Sequence, residues 1–357
     1  MAAISTDQGK IAIKRGVTWG TAVSVATGDY LYGTISVSGS KDLFIPRDIG
    51  FAGKQTTLTY LRQTLNVTIT CDLAYNQTLN TLIGGVMATE AAAVEQTGGQ
   101  GDYLHAFDLN DSNAGIFYTI AYFRESDAVI ELPSVKLTGF SVSMPINDVP
   151  VVTFTGVANH AVTTGDATST VANINALTPK TYQSAVFNGA NHYFRVNADG
   201  GAGLSNSNDQ LILNANFSLQ RTLDPLWALR GANTRYSLEP TPLGDIVGRL
   251  TFQMYDNTRA AMDMFDLWKN GTTQKAEIYL DGDQIGSGVN RSYKIQFPYL
   301  KPTGVFPTAH DLPAKNQRLQ HSLEFAMLKR SAAPTGMTGV TDYMRWISVD
   351  LRSTSWA

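Results

Sequence analysis

Alternation with a period of two dominates the hydrophobic pattern of this chain. Val67, Ile69, Cys71 and Leu73 alternate with Thr68, Thr70, Asp72 and Ala74, which predicts a strand with one face on a core and the other toward solvent. Gly248, Leu250, Phe252 and Met254 alternate in the same way with Arg249, Thr251, Gln253 and Tyr255, and predict its counterpart. Behind the first strand, Leu79, Leu82, Ile83 and Val86 fall at i, i+3, i+4 and i+7, the stripe of a helix over 78–87 with Thr78 as its N-cap. Behind the second, Ala261, Met264, Phe265 and Trp268 make an equivalent stripe over 258–268, and Gly271 stops it. Tyr118, Ile120 and Tyr122, and later Tyr293, Ile295 and Phe297, mark a further strand in each half. More strands are expected over 32–37, 135–144, 151–157, 211–219, 276–280 and 319–328.

A strand, helix, strand order that recurs some 175 to 180 residues apart is the mark of a duplicated unit whose identity has faded. The expected fold is therefore mainly β (α+β): two tandem antiparallel β-sandwich or curved-sheet domains, each with a flanking helix. Residues 1–29 read as an N-terminal arm, 30–160 as the first domain and 181–330 as the second, with 331–357 a C-terminal extension. The run 161–180 between them, poor in charge and rich in Thr, Ala, Asn and Gly, reads as a linker. Cut near residue 175, the halves carry −6 and +3.

Two long loops, 41–63 and 231–245, precede the strands that lead into the helices. Phe44, Pro46, Phe51 and Tyr60 in one, and Tyr236, Leu238 and Pro240 in the other, are too apolar for solvated tethers. Burial against a neighbouring molecule is the expected use.

Composition narrows the function classes. Only 16 % of the 357 residues are charged, and the net charge of −3 lacks the cationic excess that gripping phosphates demands. Cys71 is the one cysteine, so an internal disulfide is excluded, and its place on an apolar strand face predicts an inert thiol. The five histidines are scattered; His321 shares the parity of Leu323, Phe325 and Met327 and reads as a core histidine. The run 281–292 begins like a calcium loop at Asp281, Asp283 and Gly286, but Ile285 and Ser292 stand where ligands are needed, so a hairpin is expected. The glycine-rich run 200–209 lacks both dinucleotide spacing and a P-loop lysine. No catalytic constellation, metal site or cofactor is expected, and no stretch is apolar enough for a membrane segment. The chain reads as made in a reducing cytoplasm.

Four segments carry a resemblance: KIAIKRGVTWGTAVSVATGDYLYG, LNVTITCDLAYNQTLNTLIGG, GRLTFQMYDNTRAAMDMFDLWKNGTTQKAEIYLDG and SYKIQFPYLKPTGV. Their order resembles the tail tube (major tail) proteins of long-tailed, non-contractile bacteriophages, in the variant with two tube domains per chain. Gly16, Thr18, Trp19, Gly20, Thr21 and Ala22 match that family's opening loosely. The resemblance implies a virion protein made in the host bacterial cytoplasm, whose inner sheets close around a ring and whose loops reach the next ring. It implies three chains per ring, other tail proteins at the tube ends, and genomic DNA passing without specific binding. Thr68, Thr70, Asp72, Arg249, Thr251 and Gln253 would line the lumen. A barrel of 24 strands would leave a lumen of roughly 35 to 40 Å, wide enough for duplex DNA. Competing expectations are another virion ring component, such as a baseplate hub or tail terminator, and a carbohydrate-binding adhesive module.

Overall fold

The computed structural model describes residues 10–44, 59–75, 77–125, 128–146, 148–178, 185, 192–227, 236–254, 263–305, 307, 321–354 and 356. Strands take 53 % and helices 9 % of it, as the alternating pattern requires. The first half comprises β1 (Ile11–Arg15), β2 (Tyr30–Leu31), β3 (Thr34–Phe44), β4 (Thr59–Asp72), α1 (Gln77–Met87), β5 (Ala88–Glu90), β6 (Val94–Glu95), β7 (Tyr103–Leu109), β8 (Tyr118–Glu125), β9 (Ala128–Pro145), β10 (Val151–Ala158), β11 (Val162–Thr163) and α2 (Val171–Asn175). The second comprises β12 (Tyr193–Ala198), β13 (Ile212–Asp224), β14 (Thr241–Met254), α3 (Met264–Asn270), β15 (Gln274–Gly286), β16 (Val289–Pro302), β17 (His321–Met327) and β18 (Arg345–Asp350).

Every described pairing between these strands is antiparallel, and the pairings repeat. In the first half the order β1–β8–β9–β10–β4–β3 runs edge to edge. In the second, β12–β15–β16–β17–β14–β13 runs the same way. The register fixes the match residue by residue. Gly156 stands between Leu137 and Val67, and Phe325 stands between Pro302 and Leu250. Val67 therefore corresponds to Leu250, a match that alternation alone leaves open, because a period of two cannot distinguish registers of equal parity.

Among the described residues, the halves are hydrogen-bonded into one sheet at two places. Residues 139–145 of β9 pair with 214–220 of β13. The other link is β18, which lies between β16 and β7. Trp346 of β18 meets Phe140 of β9 and Phe217 of β13 at 6.0 and 6.2 Å, so the sheet closes over one core shared by both halves. Thus 331–357 is no appendage: it holds a central strand and a fully buried Trp346.

Two other segments expected to lie outside the folded units belong to them. Within the N-terminal arm, β1 pairs with β8 and buries Ile11, Ala12 and Ile13. Within 161–180, β11 pairs with β9, and α2 follows with a complete capping box on Thr170. Ile174 and Leu177 are buried against Ala12, Val25 and Val129, while Lys10 Nζ donates to the Asn175 and Leu177 carbonyls at 2.9 Å. Low charge there reflects packing on the first half, not a tether.

The first predicted helix buries its whole stripe, Leu79, Leu82, Ile83 and Val86. Each such side chain contributes about 1.5–3 kcal/mol relative to exposure. Thr78 is inside this helix rather than capping it, and its hydroxyl donates to the Tyr30 carbonyl at 2.7 Å. The second helix is shorter than 258–268; the residues before 263, including Ala261, lie outside the described ones. Asp263 caps it, Met264 and Leu267 face the core, and Phe265 is exposed. Gly271 terminates it in the left-handed conformation, as expected.

Candidate functional site

Seven strands, β3–β4–β10–β9–β13–β14–β17, form a continuous layer with one face on the core. Their alternation places the intervening residues on the other face, where register aligns them in rows. One row runs Thr34, Thr70, Thr153, Ser141, Ser218, Arg249, Ala326. The rows beside it run Ser36, Thr68, Thr155, Gly139, Gln220, Val247 and Val151, Ser143, Asn216, Thr251, Glu324, with Asp72 opposite Val151. The face is thus built of hydroxyls and amides. Cross-strand hydrogen bonds knit it: Thr138 to Thr155 at 2.8 Å, Thr70 to Thr153 at 3.3 Å, and Asn214 to Gln253 at 2.7 Å. A shallow groove of about 420 Å³ opens where β9 meets β13.

Charge on these rows is sparse. Arg249, the one cation on these rows, lies 3.2 Å from Glu324 on the neighbouring strand. With Asp72, the three rows carry one net negative charge. Sequence reasoning brought Thr68, Thr70, Asp72, Arg249, Thr251 and Gln253 to this face, and the structure unites them there. It missed Ser141, Ser143, Thr153, Asn216, Ser218 and Glu324, although parity with buried Phe140, Phe154, Phe217 and Phe325 would have found each.

The joint between the halves is the second feature. Gly139 lets β13 approach, since a Cβ there would collide with the Leu219 carbonyl oxygen. Lys136 is buried and its ammonium meets Glu239 at 2.6 Å, while the Gly115 amide donates to the same carboxylate at 2.7 Å. Burial pushes the Lys136 pKa down, opposed by Glu239. Trp19 Nε1 and Asn159 Nδ2 both donate to the Ser237 carbonyl, at 2.9 and 3.0 Å. Trp19 also packs edge-on against Phe117. From β13, Arg221 reaches the Asn110 and Asp111 carbonyls of the first half.

This joint decides the loops. Tyr236 stacks on His160 at 4.3 Å, Leu238 N donates to the Leu226 carbonyl at 2.7 Å, and Pro240 is buried. The expectation that Tyr236, Leu238 and Pro240 serve a neighbouring molecule is therefore corrected: they pack on their own chain, and 241–245 is already strand. In the other loop, β3 runs to Phe44 and β4 starts at Thr59, with Phe44 opposite Thr59 and Leu43 opposite Tyr60. Strand pairing thus runs into the stretch 41–63 that the sequence suggested was a loop. Pro46 and Phe51 lie outside the described residues.

The remaining candidates have structural roles. Asp281 and Ser292 pair across the β15–β16 hairpin, and Asp281 accepts from Asn290 at 2.9 Å. Burial pushes the Cys71 thiol up to about 12, which keeps it protonated and unreactive. His321 is buried on β17. Among the described residues, no group of three or more His, Cys, Asp or Glu could hold a metal ion, and no helix is long and apolar enough to cross a membrane. Neither a known protein family nor a curated protein matches the chain.

Proposed function

We propose that this chain is a structural virion protein that assembles with copies of itself into stacked rings, the tail tube of a long-tailed phage. The observation that carries the reading is the seven-strand layer whose aligned outer rows are hydroxyl and amide, with Arg249 on them neutralised across the strand by Glu324. A conduit must let a polyanion slide. Unpaired Lys and Arg would hold phosphates through counterion release, whereas a polar wall with slight negative charge does not. The repeated pairing order supports two equivalent ring positions per chain, hence three chains for a ring of six. Phe44, Pro46, Phe51 and Tyr60 remain the stacking candidates; Tyr236, Leu238 and Pro240 do not.

Negative-stain electron microscopy of the purified protein tests this. Hollow striated tubes with three chains per ring are expected. A wild-type protein that forms no tube at any concentration would sink the proposal, and six chains per ring would show that one half alone lines the lumen.

A further inference from the structure

Beyond β18 the chain is held by side chains and not by strand pairing. β18 stops at Asp350, and the described residues 351–354 and 356 belong to no strand or helix. Leu351, Ser353 and Thr354 are exposed, yet Trp356 beyond them is buried. The Trp356 amide donates to Glu90 Oε2 of β5 at 2.5 Å, and the Arg352 amide donates to Asp350 Oδ1 at 2.7 Å. The Arg352 carbonyl lies 2.8 Å from His105 Nε2 of β7. Over the Trp356 ring lies the Arg352 guanidinium, 3.7 Å from its centre, and His105 meets the same ring edge-on at 6.0 Å. This strap and His105 are thus one packed unit.

The side chains of His105 and Glu90 are sealed from solvent, 0 % and 1 % exposed. Nδ1 faces Glu90 Oε1, and Nε2 faces the Arg352 carbonyl with Asp350 Oδ1 beside it. A carboxylate and a carbonyl can only accept, so both bonds form together only when both ring nitrogens carry a proton. With that imidazolium, the carboxylates of Glu90 and Asp350 are balanced by His105 and Arg352. The other elements packed here bring neutral groups. From α1, Asn80 Nδ2 donates to Ser348 Oγ and Asp350 Oδ2 at 3.1 and 3.0 Å, and from β8 comes Tyr118, whose hydroxyl burial keeps protonated. Loss of the ring proton therefore leaves the buried cluster one charge negative and sets a lone pair against an acceptor. The Arg352 carbonyl is the partner that can retreat, because the strap around it is already exposed whereas Glu90 sits on a paired strand.

We propose that the strap 351–356 is a proton-dependent latch, which charged His105 holds closed against β5 and β7 and which opens when the ring loses its proton. Arg352 and Trp356 leave together, since the guanidinium stays over the indole. The latch is independent of the tube reading above. It is a histidine switch of the usual kind, with its working range moved to alkaline pH by the two carboxylates.

Limited trypsin digestion reads the latch directly, because the carbonyl beside His105 belongs to the Arg352–Ser353 bond that trypsin cuts. A short arginine peptide in the same tube corrects for the protease's own pH response. Corrected cleavage after Arg352, seen by intact mass as loss of residues 353–357, should be at least tenfold faster at pH 10 than at pH 7. Its midpoint should fall near 9, where His105 loses its proton. In a His105→Gln variant the two rates should be equal. Fluorine NMR of wild-type protein carrying 5-fluorotryptophan gives the answer without that variant, should it fail to fold. The Trp356 resonance, assigned by its absence from Trp356→Phe, should move to a solvent-exposed position above pH 9 while the Trp346 resonance stays in place. Equal cleavage of wild type at pH 7 and pH 10, a tenfold rise that persists in His105→Gln, or Trp346 and Trp356 resonances that move together would each overturn the latch.

Discussion

His105 is buried with both ring nitrogens committed. Its Nδ1 lies 2.8 Å from Glu90, and its Nε2 lies 3.3 Å from Asp350 and 2.8 Å from the Arg352 carbonyl. Burial alone would push this histidine down, but the carboxylates of Asp350 and Glu90 outweigh it and hold the pKa up to about 9. Because the folded value lies above the ordinary 6.5, the stabilisation is complete below about pH 6.5 and is lost as pH rises through 9. We expect melting temperature to fall across that window, corresponding to about 3 kcal/mol. A His105→Gln variant should show a flat profile there, and a thermal melt at half-unit pH steps reads the difference. An equal fall in the variant would assign it to other groups. None of this was legible in the sequence, where Glu90, His105 and Asp350 are far apart and follow no motif.

Among elements, the joint of β9 and β13 shows what sequence pattern resolves. The strands themselves are plain from alternation, and so is α1, whose four predicted contacts are all buried. The joint is not, because Lys136 looks like an ordinary solvated cation on its strand. Glu239→Ala should leave its ammonium buried without a counter-charge and cost about 2–4 kcal/mol, discounted for the partly exposed carboxylate. Replacing the pair together, Lys136→Met with Glu239→Leu, should recover most of that loss. Urea denaturation of the three proteins decides it. A single variant as stable as wild type would show that the ion pair does not hold the 236–240 segment in place.

At the scale of the molecule, β18 makes one cooperative body of two repeats. Trp346 fills the centre, touching Phe140, Phe217 and Tyr293. We expect Trp346→Ala to cost about 3–5 kcal/mol, as large aromatic truncations in packed cores do. Calorimetry should show wild type unfolding in a single transition. Two separated transitions in the wild-type protein would mean that the halves unfold independently and that β18 does not couple them.

Hydrophobic period and breakers are local signals, and they sufficed for the mainly-β class, the principal strands, the recurrence of the pattern and the polar face on Thr68, Thr70 and Thr251. Register is non-local. Only tertiary pairing decided that Val67 matches Leu250, that Glu324 neutralises Arg249, and that Tyr236 and Pro240 face their own chain. The same holds for the segments set aside as arm, linker and extension. Each supplies few hydrophobic positions, too short a run to show a period, and its place in the core exists only because distant strands hold open the groove it fills.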